Sequence, residues 1–137
     1  LTKLPLLTSL GLYECTKITD AGLKEVAKFQ QLTVLILPDQ ITDAGLKEVA
    51  KLQKLTHLYL SRTKITDAGL KEVAKLTQLT SLSLAGTQIT DAGLEEVAKL
   101  TQLALLSLFD TKVTRTGVKQ LQNALPECKI LHNAKED

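Results

Sequence analysis

A chain of 137 residues with 44% hydrophobic content is long enough to bury the core of a single domain, read here as residues 1–137. Its 17 basic and 15 acidic side chains are interspersed and leave a formal charge of +2, so no charged tail marks a partner. Aromatics at 3% exclude a core built on large rings, and no apolar run approaches the ~20 residues that span a bilayer.

The chain opens at Leu1 without a methionine or a signal-like segment, which implies that any targeting information was removed or was never there. The first pattern is LxxLxL at Leu7-Leu10-Leu12. It recurs from Leu32, Leu55, Leu79 and Leu103, in steps of 25, 23, 24 and 24 residues. An altered sixth copy reads Leu125-Cys128-Ile130. Alternation along a strand puts the LxL leucines on one face and the residue between them on the other. Thr63, Thr87 and Thr111 then fall where the chain leaves the strand, and their hydroxyls can serve backbone groups that no ladder reaches. Cys15-Thr16 and Asp39 fill that place in the first two units, whose turns are expected to be the least regular.

After each turn comes a repeated dozen, ITDAGLKEVAKL at 41–52 and 65–76, with one residue changed at 18–29 and at 89–100. Thr19, Thr42, Thr66 and Thr90 suit helix N-caps, and the Asp after each suits the positive end of a helix dipole. Leu70, Val73 and Ala74 recur at i, i+3 and i+4 as one apolar stripe, with Lys71, Glu72 and Lys75 facing away. Gly69 is expected to allow close backbone approach in the first turn. Helices of about two and a half turns do not persist alone. They need the leucines of their own and neighbouring units, so each copy is read as one coil of a solenoid.

At the C-terminus the dozen degenerates to Val113-Thr114-Arg115-Thr116-Gly117-Val118. A last strand bearing Lys129 and a polar tail, Lys135-Glu136-Asp137, follow, so residues 113–137 read as a capping unit after about five repeats. At the other end, unit alignment puts Leu1 on Val49 and Leu4 on Leu52. This start inside a helical turn reads as a fragment of a longer array, expected to self-associate through an uncapped N-terminal edge.

The LxxLxL core followed by ITDAGL resembles leucine-rich repeat proteins over nearly the whole chain. It is most similar to bacterial TDAGL-type repeats related to the cysteine-containing and ribonuclease-inhibitor-like subclasses, down to the phrase Leu125-Pro126-Glu127-Cys128-Lys129-Ile130. Thr stands where those repeats more often carry Asn or Cys. The resemblance implies an α/β fold: a right-handed horseshoe solenoid with a parallel sheet on its concave face and short α-helices on its convex face, used mainly for protein recognition.

Catalytic and metal chemistry find little support. His57 and His132 fall on the order of 15 Å apart at ~4.8 Å per strand step, too far to share an ion. Cys15 and Cys128 are roughly 24 Å apart by the same step, beyond disulfide reach. Two unpaired thiols suit a reducing or indifferent compartment, with the cytoplasm favoured. Asp20, Asp43, Asp67 and Asp91 read as helix-start residues rather than a calcium ladder. The rows Lys24/Lys47/Lys71 and Lys28/Lys51/Lys75/Lys99 run beside Glu25, Glu48, Glu72 and Glu96, which suggests a solvated face with weak pairs across coils and no nucleic-acid site. No cofactor is implied.

The outward strand residues are Ser9, Gly11, Tyr13; Val34, Ile36, Pro38; His57, Tyr59, Ser61; Ser81, Ser83, Ala85; and Leu105, Ser107, Phe109. None is charged, where chance would place about three. Val34, Ile36, His57 and Tyr59 are expected to form one patch, and Leu105 and Phe109 a second. Tyr13 lies beside the first, while Arg62 and Asp110 add polar contacts at the strand exits. The sequence thus reads as a non-enzymatic module that binds an unidentified polypeptide on its concave sheet. Sheet preference for β-branched and aromatic residues is the competing explanation, under which the repeats are a spacer in a larger protein.

Overall fold

A computed structural model of the chain describes residues 6–135. Strands and helices alternate: β1 (Ser9–Gly11), α1 (Leu23–Val26), β2 (Val34–Ile36), α2 (Asp43–Val49), β3 (His57–Tyr59), α3 (Asp67–Val73), β4 (Ser81–Ser83), α4 (Asp91–Val97), β5 (Leu105–Ser107), α5 (Arg115–Ala124) and β6 (Lys129–Leu131). The strands form one parallel sheet in chain order, each joined to the next by a helix.

The leucine pattern sets the register. Leu10, Leu35, Leu58, Leu82, Leu106 and Ile130 form one cross-strand column, and all but the first and last are buried. The third leucine of each unit lies on the same sheet face as this column, and the apolar stripe of each helix closes on both from the other side, making a continuous core from Leu12 to Cys128. Thr63, Thr87 and Thr111 act as expected at the turns, their hydroxyls donating to the carbonyls of Leu60, Leu84 and Leu108 at 2.8, 2.6 and 2.8 Å. The first unit is the irregular one, with a 3-10 turn at Asp20–Gly22 ahead of the four-residue α1. In the second unit Gln40 Nε2 reaches back to the carbonyls of Cys15 and Ile18 at 3.0 and 2.6 Å.

The aspartates do more than face a dipole. Each carboxylate crosses to the next unit and accepts both polar hydrogens of its N-cap threonine. The N–H groups of Thr42, Thr66, Thr90 and Thr114 donate to Oδ1 of Asp20, Asp43, Asp67 and Asp91 at 2.9, 2.7, 2.8 and 2.8 Å. The hydroxyls of the same threonines donate to Oδ2. The glycine requirement follows from this arrangement. A Cβ on Gly69 would overlap Asp43 Oδ1 and stand 2.8 Å from Leu46 Cδ1, and Gly45, Gly93 and Gly117 repeat the conflict with the preceding aspartate. At Gly22 the nearest atom is Ile18 Cγ2 at an ordinary 3.5 Å.

Three expectations are corrected, on helix length, charge pairing and the β6 register. Helices α2, α3 and α4 have seven residues, about two turns rather than two and a half. The charged pairs lie within a unit: Lys28–Glu25, Lys51–Glu48, Lys75–Glu72 and Lys99–Glu96 at 2.8–3.1 Å, because i and i+3 share a helix face. The degenerate dozen gives α5, at ten residues the longest helix of the described chain. Thr114 starts it, accepting from the Gly117 N–H at 3.1 Å. Finally, β6 pairs two residues out of the LxxLxL reading. Ile130 lies opposite Leu106, which keeps the 24-residue step, while Cys128 is buried just before the strand. The expected helical placement of Leu1 and Leu4, and the tail residues Glu136 and Asp137, lie outside the described residues.

Candidate functional site: the concave sheet

Parallel pairing brings Val34 beside His57 and Ile36 beside Tyr59, and places Ser81 and Ser83 on the far flank of β3. The His57 and Tyr59 rings lie 6.4 Å apart at 44°. His57 Nδ1 is 2.9 Å from the Thr56 hydroxyl, which itself donates to the Thr33 carbonyl. All four residues of this patch are half-buried, whereas Leu105 and Phe109 on and beyond β5 are exposed. Ser83 and Ala85 separate the two groups. Ser81, expected among the outward residues, is buried, with the larger His57 and Leu105 as its cross-strand neighbours. Pro38 is also buried, at the start of a tight turn where the Ile41 N–H donates back to its carbonyl at 3.3 Å.

At the exits of β1–β3 the face deepens into a depression of about 250 Å3 lined by Tyr13, Ile36, Leu37, Asp39, Tyr59, Ser61 and Arg62. Four residues singled out from the sequence thus meet in one place: Tyr13, Ile36, Tyr59 and Arg62. Asp39 joins them without having been singled out as a site residue. In sequence it is only the residue of a shortened turn, and its place beside Arg62 depends on how that turn folds. Asp110, at the equivalent exit of β5, is engaged by Asn133: its N–H donates to Asn133 Oδ1 and its carboxylate accepts from Asn133 Nδ2, both at 2.8 Å.

Other features of the described residues offer less. A cavity of about 260 Å3 between α4 and α5 includes Asp91, whose carboxylate is already occupied by Thr114. No group of three or more His, Cys, Asp and Glu side chains is placed to hold a metal ion, and no helix is long and apolar enough to cross a membrane. Both cysteines are free thiols, and burial pushes the Cys128 thiol pKa up.

Comparison with known proteins agrees with this geometry. Residues 51–74 and 75–98 each match the leucine-rich repeat family model. The chain has the leucine-rich-repeat solenoid fold. Among solved structures it is similar to an internalin from Listeria monocytogenes at 23% identity and a TM-score of 0.55, over 82% of this chain and 38% of that one. It is also similar to a leucine-rich repeat protein of Leptospira interrogans at 27% identity and a TM-score of 0.54, over 78% of this chain and 33% of that one. The solenoid therefore spans little more than a third of the length of these relatives. No curated protein matches the sequence.

Proposed function

We propose that this solenoid is a non-enzymatic interaction module that binds a polypeptide on its concave sheet. The observation that carries the reading is the depression at the strand exits. There two tyrosines and Ile36 adjoin a strand surface that has no charged side chain from β1 to β5. Aromatic anchors in a concave, weakly hydrated surface are the usual source of binding energy between proteins, and leucine-rich repeats commonly serve protein recognition.

The test is selection of a phage-displayed random-peptide library on the chain, followed by titration of the enriched peptides against wild-type, Ile36→Asp and Tyr59→Ala proteins. Both variants are expected to lose binding while keeping the wild-type circular dichroism. Undiminished binding would remove the reading.

The β1 edge supports a second contact surface, used for self-association. Among the described residues β1 pairs only with β2, and beside it Leu6 is 74% and Tyr13 61% exposed.

A further inference from the structure

We propose that the depression at the exits of β1–β3 selects a polypeptide segment in which a large apolar side chain is flanked by an acidic residue, held by Arg62, and a basic residue, held by Asp39. This rests on the concave-face reading above. Three observations support it. Arg62 is held in the left-handed backbone region at φ 62°, a conformation disfavoured for any residue with a Cβ. The equivalent exit of the next unit uses Gly86 at φ 72°, where nothing is lost. At the third such exit Asp110, at φ 57°, is compensated by the two hydrogen bonds with Asn133. Arg62 has no such return. Its N–H donates to the Ala85 carbonyl at 2.7 Å, which any residue but proline would do.

The second observation is that both charges at the depression are unspent. Among the described residues the Arg62 guanidinium and the Asp39 carboxylate make no hydrogen bond or ion pair, with each other or with any neighbour, and both residues are exposed. Two opposite charges on one depression that do not neutralise each other are complementary to a ligand carrying both signs.

The third concerns space. A Cβ on Gly86 would stand only 3.1 Å from Arg62 Cγ, so the glycine leaves room for the arginine stem to lie across the neighbouring turn. In the same depression as the two charges, Tyr13, Ile36 and Tyr59 line a volume of about 250 Å3, the scale of one large side chain with its backbone. A guanidinium is suited to bidentate pairing with a carboxylate.

The experiment uses peptides enriched from the random library on the wild-type chain. They are expected to carry Phe, Tyr or Leu with an acidic residue on one side and a basic residue on the other. Arg62→Glu is expected to weaken them by roughly tenfold or more, with recovery when the peptide's acidic residue is replaced by Lys. Arg62→Gly relieves the backbone and keeps the turn. It is expected to melt at a higher temperature yet lose the preference for an acidic neighbour, which a purely structural arginine would not change. The double reversal Asp39→Lys with Arg62→Glu is expected to enrich the opposite order of charges. Peptides that depend on Tyr59 but are indifferent to both reversals would overturn this inference and leave the concave-face reading standing. If no peptide is enriched, or the enriched peptides ignore Tyr59→Ala, both are overturned.

Discussion

Replacing Gly69 by alanine is a small perturbation with a sign that depends on the inter-unit aspartate. Helix propensity alone favours alanine by about 1 kcal/mol. Against that, the new Cβ overlaps Asp43 Oδ1 and comes within 3.0 Å of its Cγ, so the carboxylate has to move. Moving it disturbs the bonds from the Thr66 N–H at 2.7 Å and the Thr66 hydroxyl at 2.5 Å. Hydrogen bonds to a charged group contribute about 1.5–3 kcal/mol each. Loss of one to two of them, less the propensity gain, gives a net destabilisation of about 0.5–5 kcal/mol, with about 2–3 as the central value. Gly22 is the internal control, because its backbone is already helical at φ −68° and ψ −20°, and its Cβ would meet only Ile18 at 3.5 Å. Gly22→Ala is expected to be neutral or stabilising by up to about 1 kcal/mol. Urea unfolding of both variants measures the difference, with equal m-values as the check that the solenoid still unfolds as one unit. Repeating Gly69→Ala in an Asp43→Ser background is expected to remove most of the penalty, since the Asp43 carboxylate is gone and only the terminal methyl Leu46 Cδ1 remains in the way. A Gly69→Ala protein as stable as Gly22→Ala, or a penalty unchanged in the Asp43→Ser background, would refute the reasoning.

Three further outcomes are expected. Leu58→Ala, in the fully buried column, should cost ~2–5 kcal/mol, whereas Tyr59→Ala on the half-buried opposite face should cost clearly less; comparable losses under urea would mean that the strand faces are reversed. In the native protein Cys15 should react with a thiol reagent well before Cys128, which is buried and whose pKa burial raises. Because the folded Cys128 pKa lies above the unfolded one, its contribution to stability is fully present below the unfolded thiol range and is lost as pH rises through it, from about pH 8.5 upward. A Cys128→Ala protein should therefore show a shallower loss of stability between neutral and alkaline pH. Light scattering is expected to show concentration-dependent association that weakens when the β1 edge, with Leu6 and Tyr13 beside it, is covered by an added capping unit. A chain that stays monomeric at high concentration would remove the self-association reading.

The sheet was legible in the sequence because leucines at a 24-residue step leave only one register that buries them all. That logic placed Val34 beside His57 and Ile36 beside Tyr59. It slipped at β6, where Leu125-Cys128-Ile130 imitates LxxLxL; α5 runs ten residues to Ala124, and the hydrogen-bonded ladder puts Ile130, not Cys128, opposite Leu106. The aspartate bridge was harder to see, because it joins residues 22 or 23 apart. Its trace in the sequence is the joint recurrence of Thr, Asp and Gly in every TDAG, which a dipole argument about aspartate alone leaves unexplained. The concave depression lay furthest out of reach. It depends on the left-handed turn at Arg62 and on the tight turn holding Asp39, and neither residue type announces those conformations.

The central claim concerns where a polypeptide sits, and chemical-shift mapping by NMR of the labelled chain with a library-selected peptide tests it most directly. The predicted result is progressive shifts at Val34, Ile36, His57 and Tyr59, with the convex residues Lys47, Lys71 and Glu72 unmoved. Shifts confined to the helices, with the β2 and β3 signals in place, would contradict it.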